Sequence, residues 1–236
     1  MRRIFVTPEQ LRAGSITLGP DEAHYVARVL RLEPGAAIEL FDGAGRRAAA
    51  TVTAVGRGDV HCDCGAPVSD LLSAIRAVRC GLPLLKGERL DLAVRMLTEL
   101  GVAEIVLLVC ARSVPRDAPG SERVERLRRV ARAAARQCGR PQLPRIDGPL
   151  TLVAFAASAS GSKWYGESVG NQARECAQWP DPGERAVTLC TGPEGGFTAA
   201  ETVQLQAAGF APLRLGPHVL RAETAAVVAA ALALAG

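Results

Sequence analysis

The sequence is short of aromatic side chains and of long apolar runs, and each shortage narrows what the chain can be. Aromatics make up 4% of the 236 residues while apolar residues make up 48%. The core therefore has to be built from Ala, Val and Leu. The longest apolar run, "TAAVVAAALALAG" at 224–236, is too short for a bilayer, which takes about 20 apolar residues, so no membrane partner is expected. "MRRIFVTPEQ" has the charge of a secretory leader without its apolar stretch, and no such leader is expected. The seven cysteines are odd in number and lack the spacing of a disulfide scaffold, which points to a reducing, cytoplasmic setting. "HCDC" at 61–64 does not make a zinc site. In a strand Cys62 and Cys64 share a face, and no second pair follows at ligand spacing. No metal is expected, and there is neither an internal repeat nor a low-complexity linker.

Charge is present but unevenly placed. The net charge is +4. Residues 1–70 hold 8 Lys/Arg against 9 Asp/Glu, residues 71–149 hold 15 against 8, and residues 150–236 hold 5 against 7. A local cationic excess is the footprint expected of a nucleic-acid partner.

The rhythm changes near residue 70. Before it, "RRIFVT", "SITLG", "AAIELFDG", "RRAAATVTAVG" and "DVHCDC" read as short strands between Gly, Pro and Asp turns. One helix, "DEAHYVARVLRL", interrupts them, with Val26, Val29 and Leu30 on one face and His24, Arg28 and Arg31 on another. That is a small barrel with one helix. After it, strands and helices alternate: strands at "LSAIRAVRC", "AEIVLLVC", 186–191 and "PLRLG"; helices at "GERLDLAVRMLTELG", 121–138, 149–158, 198–208 and from Thr224. Residues 159–183 are the least regular stretch. The alternation predicts an α/β domain with a mostly parallel sheet, hence two domains, 1–70 and 71–236.

The helix "SERVERLRRVARAAARQC" and the residues after it carry seven arginines between Ser121 and Arg140 and only two glutamates. Arg128, Arg132, Arg136 and Arg140 recur every four residues, opposite a stripe of Val124, Leu127, Ala131, Ala134 and Cys138. Like charges at this spacing repel unless an anion offsets them, and a guanidinium forks onto phosphate oxygens. The stripe is either a phosphate-contacting face or plain surface.

"TGPEGGFT" at 191–198 ends a buried strand. It lacks the lysine of a phosphate-binding P-loop and the spacing of a dinucleotide fingerprint, and Glu194 would repel phosphate. Such a loop suits a ligand that is neutral or cationic where it touches, read by backbone groups that glycine lets approach. The alternative is a tight strand–helix turn. Thr198 and Glu201 form a capping box that starts the next helix. "LGPHVLRAETAAVVAA" at 215–230 repeats the design: strand, Gly-Pro break, then Arg221, Glu223 and Thr224 before an apolar helix.

"GPEGGF" followed by "LGPHVLRAETA" resembles the C-terminal signature of the RsmE family, and "RRIFV", "HYVARVLRLEPG", "TELGVAEI", "RSV" and "AARQCGRPQLP" match in the family's order. Departures from the family pattern stand at Met96, Tyr25, Leu127 and Ala111. The resemblance implies a SPOUT-type α/β domain with a C-terminal trefoil knot, preceded by a small PUA-like β-barrel that binds RNA. It implies an enzyme that uses S-adenosylmethionine to methylate N3 of one uridine in the 16S rRNA of the small ribosomal subunit, working as a homodimer. Thr191, Gly192, Pro193, Glu194, Gly195 and Gly196 would form one wall of the cofactor site. Leu215, Gly216, Val219, Leu220, Arg221, Thr224 and Ala225 would form the other. Arg221 would stabilise charge on the uracil oxygens, and Glu223 would take its proton or orient Arg221, unless Glu223 and Thr224 merely cap the helix. Arg3, His24, Arg28, Arg31, Arg128, Arg132, Arg136 and Arg140 are the RNA-contact candidates. The Ala/Val-rich last helix is either a subunit interface or a core helix. A SPOUT enzyme with another rRNA or tRNA target, and a non-catalytic RNA-binding protein, are the rival readings.

Overall fold

The computed structural model describes residues 1–70, 76–113, 121–167, 174–175 and 183–235. The chain divides into two compact units, one of residues 1–73 with 132–143 and one of residues 74–131 with 144–236.

The first unit is built on a six-stranded sheet. Strand β1 (Arg2–Phe5) lies parallel to β3 (Ala37–Phe41). Antiparallel pairing then runs from β3 through β4 (Arg46–Val55) and β5 (Val60–Cys64) to β2 (Gly14–Thr17), with the short β6 (Val68–Ser69) on β4. Along β4, Ala48, Ala50 and Val52 turn inward and alternate with exposed residues, as a half-buried strand must. They meet Ile4, Val26, Ile38, Leu40 and Cys62, all fully buried. The core is aliphatic, as the shortage of aromatics requires.

The helix of this unit departs from its sequence reading. Helix α1 (Pro20–His24) passes into a π-turn over Tyr25–Val29, where Leu30 N–H donates to Tyr25 O at 2.9 Å. A bond to the fifth residue back widens the turn, so the α-period fails. Val26 stays buried, but Val29 is 60% exposed instead of facing the core. Arg31 lies beyond the helix with a positive φ of 52°.

A buried ionic cluster ties this unit together. Glu39 accepts from Arg3 Nε at 2.5 Å and Arg47 Nη1 at 3.0 Å. Burial raises its carboxyl pKa, but the hydrogen bonds and positive charges of Arg3 and Arg47 together outweigh burial and leave it lowered. Arg3 also donates to Ala135 O and Arg140 O, at 3.1 and 3.3 Å.

The second unit holds a seven-stranded sheet in the order β11-β13-β10-β12-β7-β8-β9, every pairing parallel. Its strands are β7 (Ala77–Pro83), β8 (Glu104–Val109), β9 (Arg145–Thr151), β10 (Ser162–Gly166), β11 (Arg174–Glu175), β12 (Ala186–Cys190) and β13 (Ala211–Arg214). Helices α2 (Arg89–Leu100), α4 (Leu152–Ala157), α5 (Ala199–Ala207) and α6 (Ala222–Ala235) belong to this unit, as does α3 (Ser121–Cys138) up to Ala131, its last turns counting with the first. Cys80, Leu82, Ile105, Leu107 and Leu189 face a cluster with α2 and α6, while Val106, Leu108, Tyr165 and Cys190 face one with α4 and α5. Helices on both faces explain why β8 reads as a continuous apolar run. Helix α2 closes at Gly101, whose φ is 104°.

The stretch read as least regular supplies β10, a central strand; "SKWYG" is too short and too polar at its ends to show a period. The helix expected at 149–158 begins only at Leu152, because β9 runs through Gly148-Pro149 to Thr151. Helix α6 starts at Ala222, so Glu223 and Thr224 lie in its first turn. Its Ala226, Ala229, Ala230 and Ala233 pack into the chain's own core. No helix among the described residues is long and apolar enough to cross a membrane.

Candidate functional site

A cavity of about 280 Å³ opens where β10, β12 and β13 end. In a parallel sheet the carboxyl ends of the strands carry the loops, and ligands bind in the crevice those loops leave. Three loops meet here. Gly166 ends β10 and Glu167 follows it, residues 191–197 follow β12, and Leu215 to Leu220 follow β13.

The loop after β12 is shaped by its own hydrogen bonds. Gly196 N–H donates to Pro193 O at 2.8 Å, and Gly196 has a φ of 67°. The capping box closes it: Thr198 Oγ1 accepts from Glu201 N–H at 3.2 Å, and Glu201 Oε2 accepts from Thr198 N–H at 2.8 Å. A Cβ on Gly192 would stand 3.0 Å from Phe197 N and 3.1 Å from Gly196 C, so the backbone folds back too closely for a side chain. Glu194 pairs with Arg89 at 3.1 Å, both well exposed, a contact worth about 0–1 kcal/mol. Thr191 is buried, and its Oγ1 has no hydrogen-bond partner among the described residues. A buried hydroxyl without a partner is costly, which marks this atom as one that a ligand could complete.

The structure brings Thr191, Gly192, Pro193, Glu194, Gly195 and Gly196 to the cavity wall, with Leu215, Gly216, Val219, Leu220 and Ala225 opposite. Arg221, Glu223 and Thr224 are not on that wall. Arg221 and Thr224 are exposed, whereas Glu223 is buried, and its Oε2 lacks a hydrogen-bond partner among the described residues. Helix geometry separates them, since α6 has already begun at Ala222.

The sequence reading missed Arg112, Gly166, Glu167, Phe197, Thr202, His218 and Ala222, which also line the cavity. The signal for Gly166 and Glu167 lay in topology: had "SKWYG" been read as a strand beside β12, its end belonged to the same crevice. Arg112 stands in the "RSV" triplet just after β8 and donates from Nη1 to Gly195 O at 2.6 Å.

Two family models match this chain. One, an RNA methyltransferase domain, matches residues 73–234; the other, an RNA methyltransferase PUA domain, matches residues 18–63. Curated relatives named ribosomal RNA small subunit methyltransferase E include one from Synechocystis, 31% identical over 97% of this chain and 76% of its own length. Another, from Mycobacterium bovis, is 33% identical over 89% of this chain and 82% of its own. The chain belongs to the ribosomal RNA small subunit methyltransferase E family. Among solved structures, the methyltransferase E of Neisseria gonorrhoeae bound to S-adenosyl methionine superposes with a TM-score of 0.87 at 26% identity, covering 98% of this chain and 95% of that one. A Legionella pneumophila chain in complex with the bound cofactor SAM gives 0.91 at 29% identity, covering 100% and 97%. Methyltransferase E membership accounts for the mixed α/β unit with its parallel sheet and for the separate PUA domain.

The RNA-contact candidates divide. His24, Arg28 and Arg31 are exposed. Arg128 is half exposed, 3.3 Å from Glu125, and donates to Ile146 O at 3.4 Å. Arg3, with a side chain only 10% exposed, is spent on Glu39 and two carbonyls and stacks over Phe41 at 4.6 Å. Arg136 stacks on Tyr25 at 4.1 Å and lies 3.9 Å from Glu22, and Arg132 stacks on Phe5 at 5.2 Å. Arg140 lies beyond the end of α3, and burial lowers its pKa to about 10. The expected repulsion along this methyltransferase E helix is thus offset by rings and carboxylates of the protein itself. Arg129, which the four-residue spacing skipped, is exposed. Cys138, expected in the buried stripe, is exposed at the last position of α3. Among the described residues no group of His, Cys, Asp and Glu could hold a metal.

Proposed function

We propose that this chain is an S-adenosylmethionine-dependent methyltransferase that modifies N3 of a specific uridine in the 16S rRNA of the small ribosomal subunit. The observation that carries it is the cavity wall of bare backbone at 191–196 and 215–220, joined to a buried Thr191 Oγ1 without a partner among the described residues. A nucleoside needs neutral donors and acceptors and flat walls. Gly192, Gly195, Gly196 and Gly216 offer main-chain groups, Leu215, Val219 and Leu220 offer apolar surface, and Thr191 offers a hydroxyl. When bound, the cofactor supplies an electrophilic methyl group on sulfur.

Uracil N3 is a poor nucleophile until it loses its proton, and the negative charge then spreads to the ring oxygens. Arg221, exposed between the wall residues Leu220 and Ala222, would stabilise that charge. Glu223 is buried and off the wall, which favours a part in setting Arg221 at the head of α6 over direct proton transfer. The target base must be unpaired or flipped to reach such a site.

The finer architecture belongs to the same proposal. The chain goes from β9 at one edge to β10, inserts β12 between β10 and β7, and returns to the far side of β10 as β13. That order supports a trefoil knot in the C-terminal region, and the strand order β1-β3-β4-β5-β2, with β1 parallel to β3, supports a PUA-like barrel. We assign RNA docking to His24, Arg28, Arg31 and Arg128 and withdraw Arg3 and Arg136, whose guanidinium groups serve the fold. Half-covered Val227, Val228 and Leu232 on α6 support a homodimer interface, and a cytoplasmic location follows from the ribosomal substrate.

The test is transfer of a labelled methyl group into small subunits and into free 16S rRNA, with the modified nucleotide mapped. Methylation at uracil N3 of one site supports the reading. Saturable cofactor binding with the label at another nucleotide would move the enzyme to a different RNA, and absence of cofactor binding would leave an RNA-binding protein.

A further inference from the structure

We infer that Arg112 is a positioning residue for the glycine loop, one that sets ligand affinity by holding a single peptide plane. The inference rests on the cofactor reading above. The peptide between Gly195 and Gly196 joins two glycines, the pair with the greatest backbone freedom to lose. Both of its polar groups are engaged. The carbonyl of Gly195 accepts from Arg112 Nη1 at 2.6 Å, and the N–H of Gly196 donates to Pro193 O at 2.8 Å. Since the peptide is planar, fixing both ends fixes its orientation at the cavity wall.

Arg112 is itself held in place. Cys110 N–H donates to Ser113 Oγ at 3.1 Å, and Ser113 N–H donates to Cys110 O at 3.0 Å, which closes a tight turn after β8. Ala111 N–H, next to Arg112, donates to Glu201 Oε1 at 2.7 Å. The other oxygen of that buried carboxylate, Oε2, caps α5 at Thr198. One side chain thus fastens the turn that carries Arg112 to the helix that ends the glycine loop. The stem of Arg112 lies across Gly195, where a Cβ would meet its Cδ at 3.1 Å. A side chain at residue 195 would press on this stem, so glycine there leaves Arg112 its place.

A site whose backbone is already oriented loses less freedom on binding. Arg112 therefore acts before chemistry, on the affinity of the nucleoside. The experiment compares the full-length protein with Arg112→Met, which keeps the stem and removes the donors, and Arg112→Lys, which restores a cation. Calorimetry with S-adenosylhomocysteine should show binding about tenfold weaker in the Met variant, equivalent to about 1.4 kcal/mol, and partial recovery in the Lys variant. In steady-state methyl transfer the Met variant should lose more in KM for S-adenosylmethionine than in kcat, since uniform binding energy appears in KM. Hydrogen exchange of the Gly196 amide in the free protein should speed up in the Met variant. Unchanged affinity with unchanged exchange overturns the inference. So does a loss confined to saturated turnover, which would put Arg112 on the reacting atoms. If the unmutated protein fails to bind S-adenosylhomocysteine, the cofactor reading falls, and Gly196 exchange alone decides whether Arg112 braces the loop.

Discussion

The two loops that face each other across the cavity are built differently. The one after β12 is braced at nearly every residue: Arg89 on Glu194, Arg112 on Gly195, Pro193 on Gly196, and the capping box at Thr198. The one after β13 carries little of this. Arg214 Nε reaches Gly216 O at 3.4 Å, and a Cβ on Gly216 would meet nothing within 4 Å. Val219 stands 72% exposed. In the first loop glycine is required because the protein's own backbone comes close. In the second the space beside glycine is open, and an apolar side chain stands in solvent. One wall is finished by the fold, and the other has room and apolar surface left for a ligand to cover.

The largest expected effect lies beyond both walls. Arg221→Ala should cut turnover by about 10²–10³, the scale for removing a donor aimed at developing charge, while cofactor affinity stays within about twofold. A parallel loss of cofactor affinity would make Arg221 part of the second wall and blur the contrast. Next comes the braced loop. Gly192→Val must push on Phe197 N and Gly196 C, already 3.0 and 3.1 Å from a Cβ. Overpacking of this kind costs about 1–3 kcal/mol. Calorimetry should show the cofactor bound about tenfold or more weakly, and thermal melting should show a lower Tm. The same change at Gly216 should leave the melting temperature where it is.

How much of this was legible beforehand depends on where each signal sits. The capping box, the C-cap at Gly101 and the span of α3 are local in sequence, and each was readable from a few adjacent residues. Both cavity walls were readable as Gly-Pro breaks at strand ends. What failed was non-local or non-standard. The π-turn at Tyr25–Val29 broke an α-period that the residues themselves obey. The arginine stripe looked uncompensated because Phe5, Tyr25 and Glu22 lie more than a hundred residues away in sequence. Glu167 and Arg112 reach the cavity through strand order, which no local pattern encodes. Arg221 and Glu223 stand two apart in sequence, yet one is exposed and the other buried, because the helix begins between them.

The unbraced loop can be probed through its exposed side chain. Covering a valine that otherwise meets water contributes about 1.5–3 kcal/mol at full burial. Val219 borders the cavity, so partial cover by the cofactor should account for about 1 kcal/mol of its affinity. Val219→Ser should weaken binding about fivefold and leave folding stability unchanged, as measured by calorimetry and urea titration. Equal affinity in the two proteins would mean that the loop stays open when the ligand is bound.

The smallest effect, and the sharpest discrimination, lies at Thr191, where the braced loop leaves one atom unpaired. A buried hydroxyl without a partner destabilises the free protein, so Thr191→Val should leave Tm unchanged or raise it slightly. If a ligand atom completes that hydroxyl, the same substitution should weaken cofactor binding by about 0.5–1.5 kcal/mol, the net value of an ordinary hydrogen bond. Stability and affinity then move in opposite directions, which a general loosening of the loop cannot produce. Loss of both together would place the missing partner of Thr191 Oγ1 inside the protein, and the first wall would then be finished without the ligand.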